Sequence, residues 1–220
     1  MISLIHPSRG RPEKSFKTID KWKSMAGTND VEVLVSLDKD DPLAIKYYGA
    51  YDKFNHPVHR VSIKERDNRS LVEATNAAVK QSKGDILVYV SDDFDCFPNW
   101  GQVLLNEFNK YPGVPIIIKV DDCLQAFNVP VLTIPIMNRM CHDALGYFFH
   151  PDFKSMHCDE HLYHRTKKLG FLKFAPHIKF EHRHVSVGKA EDDDTYRRSA
   201  ANWNHGKETL AKHRRMGFTV

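Results

Sequence analysis

The stretch Gly84–Trp100, GDILVYVSDDFDCFPNW, decides how the rest of the chain is read. Ile86–Val90 is a short, wholly apolar run, the pattern of a strand buried on both faces. It leads directly into Asp92, Asp93 and Asp95. Carboxylates packed this closely repel one another unless a cation or hydrogen-bond donors compensate. Hard divalent ions such as Mg²⁺ or Mn²⁺ take carboxylate oxygens and often retain water and substrate phosphate. Asp93-Phe94-Asp95 is a D-x-D. As a bare tripeptide it also describes a solvated acidic turn. Its place after a Gly-Asp-apolar strand and before a Pro-x-Trp turn favours the metal.

Working outward, strand and helix signals alternate. Ile2–His6 is an apolar run, and Pro12 opens a helix to about Met25. VEVLVSLD (Val31–Asp38) alternates as a strand, and Asp41-Pro42 starts a second helix. Val58–Ile63 reads as a third strand. Ser70 and Glu73 form a capping box before LVEATNAAVKQ. This alternation predicts an α/β fold with a mostly parallel central sheet flanked by helices. Such sheets bind ligands beyond the carboxyl ends of their strands. His6–Arg11, Asp38–Asp41 and Ser91–Asp95 all fall at those ends, so the topology predicts that they converge. The second half reads as a helix over Asn99–Tyr111 and a strand in PIIIKV. A strand follows over Val131–Ile136, then a helix over His157–Leu169 ended by Gly170. Short strands are expected near Phe171–Phe174 and Ile178–Glu181, and a helical tail from Glu191.

Composition sets the bounds. The 220 residues are 41% hydrophobic and 27% charged, ordinary for a soluble globular protein and unlike a disordered, collagenous or membrane-embedded one. No apolar run reaches membrane-spanning length, and the N-terminus does not read as a signal peptide. The net charge of +4 permits an anionic substrate without demanding nucleic acid. Four cysteines without a CxxC argue against a zinc ribbon or disulfide scaffold, and the expected location is cytoplasmic. No linker divides the chain. One domain over 1–220 is expected, with two halves (about 1–98 and about 99–190) and a basic tail (191–220).

The segment around the D-x-D resembles that of GT-A glycosyltransferases, especially the inverting family-2-like enzymes. SLIHPSRGRP resembles their first strand and nucleotide loop, and VEVLVSLDKDD their second strand with its nucleotide-contacting Asp. NRSLVEATNAAVKQSKGD resembles the helix that leads into the D-x-D strand. GYFFHPDFKSMHCDEHLYHRTKKLG resembles the acceptor segment, and FEHRH the strand with a late metal-binding His. The ordered set, over about residues 2–190, carries the likeness. It implies a Rossmann-like GT-A domain with a smaller acceptor-side region. Pro7, Ser8, Arg9 and Arg11 would line the nucleotide pocket, and Asp38 would meet base or ribose. Arg66 and Asn68 sit where the family contacts the base. Asp92 or Asp93 would touch ribose or metal, with the register open by one residue, and Asp95 would bind Mn²⁺ or Mg²⁺.

Asp159 is the candidate base for the acceptor hydroxyl, with Glu160 second. Helix N-termini favour carboxylates, so either also suits a dipole-compensating role. His182 and His184 form an H-x-H; on a strand both would face one side, toward one metal. Two surface histidines on an edge strand would give the same pattern. A zinc site drawn from His157, His161, His164, His182 and His184 is a further alternative. GKAEDDDTY (Gly188–Tyr196) reads as a solvated helix start or a loop over the donor, where Lys189 would meet phosphate.

The expected activity is metal-dependent transfer from a nucleotide-diphosphate sugar, most simply a UDP-sugar, with inversion. The acceptor would be an envelope glycan, a lipid-linked sugar or a modified base in DNA. Alternatives are a nucleotidylyltransferase, a non-catalytic sugar- or nucleic-acid-binding module, and a zinc hydrolase. Phosphate-binding glycine fingerprints are absent, which weighs against the first.

Overall fold

The computed structural model describes residues 1–52, 60–66 and 70–219. β1 (Ile2–Pro7) is buried throughout. Pro12 stands at the start of α1 (Pro12–Ser24), where its fixed φ suits the first turn and its missing N–H is not needed. β2 (Val31–Asp38), α2 (Ala44–Asp52) and β3 (Arg60–Arg66) follow. Ser70 caps α3 (Leu71–Val79), its hydroxyl accepting the Glu73 N–H at 3.1 Å as the S-x-x-E pattern predicts. β4 (Ile86–Tyr89) then runs into β5 (Phe94–Asp95) and α4 (Trp100–Phe108).

The second half contributes β6 (Ile117–Asp121), β7 (Ile136–Asn138), α5 (Arg139–Leu145) and α6 (Cys158–Lys168). β8 (Leu172–Lys179), β9 (Glu181–His182), α7 (Asp194–Ala200) and α8 (Trp203–Arg215) complete it. The main sheet has seven strands in the order β3-β2-β1-β4-β7-β6-β8, so strands from both halves share one ladder. All neighbours are parallel except those of β7, which runs against β4 and β6. β1, β2 and β4 are covered on both faces, which is why they read as continuous apolar runs.

Three expectations shift. The third strand, expected over Val58–Ile63, continues to Arg66, its first expected residues lying outside the described ones, and its register sets Arg66 opposite Asp38. The strand expected at Val131–Ile136 forms at Ile136–Asn138. Pro130 and Pro135 offer no N–H to a ladder, and the carbonyls of Val129 and Val131 accept from Lys119 Nζ at 2.7 and 2.6 Å. The two strands expected near Phe171–Glu181 form mostly one, β8. A register break absorbs Pro176: Val120 pairs with Ala175, but Asp121 pairs with Lys179.

The core reaches directly under the D-x-D. Trp22 of α1 lies against Trp100 at 5.1 Å and stacks on Phe180 at 5.0 Å. Its indole N–H donates to the Phe94 carbonyl at 3.2 Å, while the Trp100 indole donates to the Trp22 carbonyl at 2.7 Å. Buried indoles need such partners, and here they fix the acidic turn to α1. No helix among the described residues is long and apolar enough to cross a membrane.

Candidate active site

The three polar clusters meet at the strand ends. Ser8 Oγ donates to both Asp92 oxygens, at 3.1 and 3.0 Å, and also contacts Tyr47 Oη at 2.9 Å. His6 lies 3.2 Å from the same carboxylate; its other contacts are Val90 O at 2.8 Å and Ser15 Oγ at 2.7 Å. Arg9 reaches Asp38 at 2.8 Å and also pairs with Asp40. The Gly10 N–H, on a left-handed turn at φ 69°, donates to Asp41 at 2.7 Å. Asp92 is therefore fully engaged by the scaffold. Pro7, Ser8, Arg9, Arg11 and Asp38 line a cleft of about 1200 Å³. Asn68 lies outside the described residues.

Asp93 stands differently. β5 pairs antiparallel with β9, placing Phe94 opposite His182. His182 Nε2 comes within 3.3 Å of Asp93 Oδ2, and the Tyr196 hydroxyl donates to the same oxygen. Asp93 Oδ1 and His182 Nδ1 are buried without a hydrogen-bond partner. Burial alone would raise the Asp93 carboxyl, but the His182 hydrogen bond and charge, with Ser91 and Tyr196, hold it well below the usual carboxylate range. One unpartnered carboxylate oxygen beside an imidazole is a donor set that fits Mn²⁺ or Mg²⁺.

The rest of the proposed ligand set divides. Asp95 pairs with Lys21 at 2.5 Å and accepts the Cys96 N–H at 2.9 Å. It is not among the described residues that line the cleft. The two-residue strand alternates its side chains, so Phe94 and Asp95 face opposite ways and Asp95 is turned toward α1. His184 is also displaced from the expected pattern, because β9 ends at His182. His184 instead caps a short 3₁₀ turn, its Nδ1 accepting the Ser186 N–H at 3.1 Å. The two rings still lie 5.0 Å apart, and both line the cleft.

Asp159 and Glu160 occupy the first turn of α6 and face the same cleft. Glu160 is committed to structure: Oε2 meets His157 at 3.2 Å, and Arg214 donates to Oε1 at 3.2 Å. Asp159 is half-buried, has no ion pair among the described residues, and accepts the Glu160 N–H at 2.9 Å. Burial pushes its carboxyl above the usual range, against that lowering hydrogen bond. A basic carboxylate is what proton abstraction requires. Asn76 of α3 positions this wall: its side chain accepts the Phe148 and Phe149 N–H groups at 3.0 Å and donates to Phe149 O at 2.8 Å.

The segment after His184 folds back over the cleft. Arg11 forms a two-pronged pair with Asp193 and lies 4.7 Å over the Tyr196 ring. Thr195 Oγ1 donates to the Arg9 carbonyl at 3.0 Å. Gly188–Tyr196 thus supplies a helix start, capped by Asp193, that packs against Arg9 and Arg11. Lys189 turns away to Glu181 at 2.6 Å. Sequence reading missed Tyr196 and Asn76. The acidic run before Tyr196 was the available signal for the first; nothing in the local sequence marked the second. The five histidines of the zinc alternative do not converge: His182 joins Asp93, His157 packs on Trp203 at 4.6 Å, and His164 stacks on Phe218 at 4.8 Å.

Comparison with known proteins bears on the fold and the family. Among curated proteins none matches the chain. Among solved structures, the mannosyltransferase PcManGT from Pyrobaculum calidifontis, in complex with GDP-Man and Mn²⁺, superposes with a TM-score of 0.67 at 17% identity. The alignment covers 82% of this chain and 56% of that one. TarS 1-349 from S. aureus gives 0.63 at 13% identity, covering 82% and 59%; its complex with UDP-GlcNAc gives 0.62 at 12%, covering 82% and 57%. This chain therefore spans less than two thirds of those proteins and shares their GT-A fold. Residues 17–197 match the family model described as "Glycosyl transferase family 2", and the chain belongs to that family.

Proposed function

We propose that this chain transfers a sugar, with inversion, from a nucleotide-diphosphate donor to an acceptor hydroxyl, and that it does so with Mn²⁺ or Mg²⁺. The observation that carries the reading is the pairing, in one cleft, of Asp93 beside His182 with the base-like carboxylate Asp159 on α6. Asp93 and His182 would hold the ion. When bound, it supplies positive charge for the diphosphate leaving group.

The chain's own residues do the rest. Arg9, Arg11 and Asp38 bind the nucleotide, with Pro7 and Ser8 forming the loop floor. Arg66, opposite Asp38 in the ladder, would meet the base, as would Asn68, which lies outside the described residues. Asp92 holds that floor in place through Ser8 and His6. Asp159 takes the acceptor hydroxyl proton as the oxygen attacks the anomeric carbon from the face opposite the diphosphate. Glu160, tied to His157 and Arg214, orients the turn that carries Asp159.

A UDP-sugar is the proposed donor. TarS 1-349 has been seen with UDP-GlcNAc and PcManGT with GDP-Man, so both nucleotides belong in the test. Calorimetric titration of UDP, GDP and CDP with and without Mn²⁺ decides it. Metal-dependent binding of one nucleotide supports the reading, and preference for GDP changes only the donor. Absence of nucleotide binding under every metal condition overturns it in favour of a non-catalytic module. Release of pyrophosphate from a nucleoside triphosphate and a sugar phosphate would favour nucleotidyl transfer. The acceptor is a glycan, a lipid-linked sugar or a base in DNA. Duplex affinity that falls steeply with salt selects the last.

A further inference from the structure

Away from the cleft, three histidines are buried together. His150 lies in the segment between α5 and α6, His161 on α6 and His213 on α8. Their rings lie 4.4 Å (His150–His213), 4.6 Å (His161–His213) and 5.0 Å (His150–His161) apart. Asp152, at the open edge of the group, meets His213 Nε2 at 2.9 Å. One ligand atom from each of His150, Asp152 and His213 fits within 4.8 Å of the others.

Histidine in a core is ordinarily satisfied. His6 is the local example: it is fully buried, and both ring nitrogens have close polar neighbours. His161 is equally buried, yet neither Nδ1 nor Nε2 has a hydrogen-bond partner, and His213 Nδ1 lacks one too. Orphaned buried polar atoms carry a cost that folding does not recover elsewhere. The walls offer no relief, since Phe153 lies 5.1 Å from His161 and 5.6 Å from His213, and Phe218 lies 5.8 Å from His161. His150 is partly engaged, its Nδ1 accepting the Asp152 N–H at 3.2 Å. Three imidazoles and a carboxylate on one small volume form a nitrogen-rich set that suits Zn²⁺ rather than Mg²⁺ or Ca²⁺.

We propose that His150, His161 and His213, with Asp152, form a second metal site that takes Zn²⁺ tetrahedrally and fastens α8 onto α6 and the segment before it. His161 joins by turning its ring, a motion that breaks no existing hydrogen bond. The site is structural in kind, with four protein ligands and no open position. It bears on the cleft through α8, which follows directly from the helix carrying Tyr196.

The test is metal content and affinity on the 220-residue chain. Chelator-stripped protein is reloaded with Zn²⁺ against a chromophoric competitor, and separately with Co²⁺. One tightly held Zn²⁺ per chain and the intense visible absorption of tetrahedral Co²⁺ are expected. Both should persist in the Asp93→Asn/His182→Ala double variant, which removes the cleft ligands. His161→Gln and His213→Gln should weaken Zn²⁺ by more than about 100-fold, and Asp152→Asn by about 10-fold, taking the ~10–100-fold seen for lost outer-shell partners as the lower bound for a lost ligand. Asp152 is 44% exposed, so its variant folds even if a histidine variant does not. No stoichiometric Zn²⁺, a pale octahedral Co²⁺ spectrum, or zinc lost with Asp93 and His182 instead of with the histidine cluster would overturn the proposal.

Discussion

The strand ends of the first half and the histidine core of the second use one residue type in opposite ways. His6 is locked between Val90 O, Ser15 and Asp92, and it serves the scaffold. His161 is just as buried but has nothing to bond. Asp92 and Asp93 repeat the contrast one residue apart. Asp92 takes donors on both oxygens, whereas Asp93 keeps Oδ1 unpartnered beside His182. Satisfied polar groups build the frame, and unsatisfied ones in good register point to a ligand. The comparison also separates cleft from frame.

The largest effect should fall on Asp93. Asp93→Asn removes the charge from the unpartnered oxygen. It should lower metal-dependent nucleotide affinity by more than the ~10–100-fold that outer-shell partners of a metal ligand command. Calorimetry with Mn²⁺ reads this, and Asp92→Asn makes the contrast, since it should lower the melting temperature first. Asp159→Asn should leave nucleotide affinity unchanged and cut kcat by ~10²–10⁴. The pH profile sharpens that assignment. Because burial raises the Asp159 carboxyl, the base is protonated earlier than an exposed carboxylate as pH falls. The acid limb of kcat should therefore lie above the ordinary carboxylate range. An acid limb that survives Asp159→Asn would remove Asp159 from the role.

Much of this was legible in the sequence for physical reasons. β1, β2 and β4 follow from apolar runs buried on both faces, and α1 and α3 from Pro12 in the first turn and the cap residue Ser70, which act locally. Convergence of the polar clusters followed from parallel topology alone. The second half was harder because its contacts are distant in sequence. β7 slid past Pro135, and β8 closed over Pro176 by a register break that local pattern does not encode. Asn76 grips a segment 72 and 73 residues away. Tyr196 reaches Asp93 across 103 residues. The family likeness indicated which chemistry to look for, but the turn at Asp92 and Asp93 ahead of β5, with Asp95 paired to Lys21 of α1, determined which aspartate faces the cleft.

Two smaller effects probe the cover and the frame. Gly206 of α8 packs so closely that an added Cβ would meet the Met156 carbonyl oxygen at 2.3 Å. Gly206→Ala should cost ~1–3 kcal/mol by forcing the helix off the α6 approach, read as a drop in melting temperature. Tyr196→Phe removes the hydroxyl that steadies Asp93 and should weaken metal-dependent nucleotide binding by about 10-fold, with the fold intact.

The smallest effect belongs to the residue that the D-x-D spacing alone would rank first. Asp95 faces α1, where its partner Lys21 is 42% exposed. Exposed ion pairs of this kind contribute about 0–1 kcal/mol. Asp95→Ala should therefore shift the melting temperature slightly and leave Mn²⁺-dependent nucleotide affinity within about threefold of the parent. If Asp95→Ala instead abolishes metal-dependent binding as Asp93→Asn does, Asp95 must swing away from Lys21 when metal enters. The division between cleft and frame would then depend on the bound state. Lys21→Ala distinguishes the two: it should tighten metal binding if Asp95 swings, and leave it unchanged if Asp95 belongs to the frame.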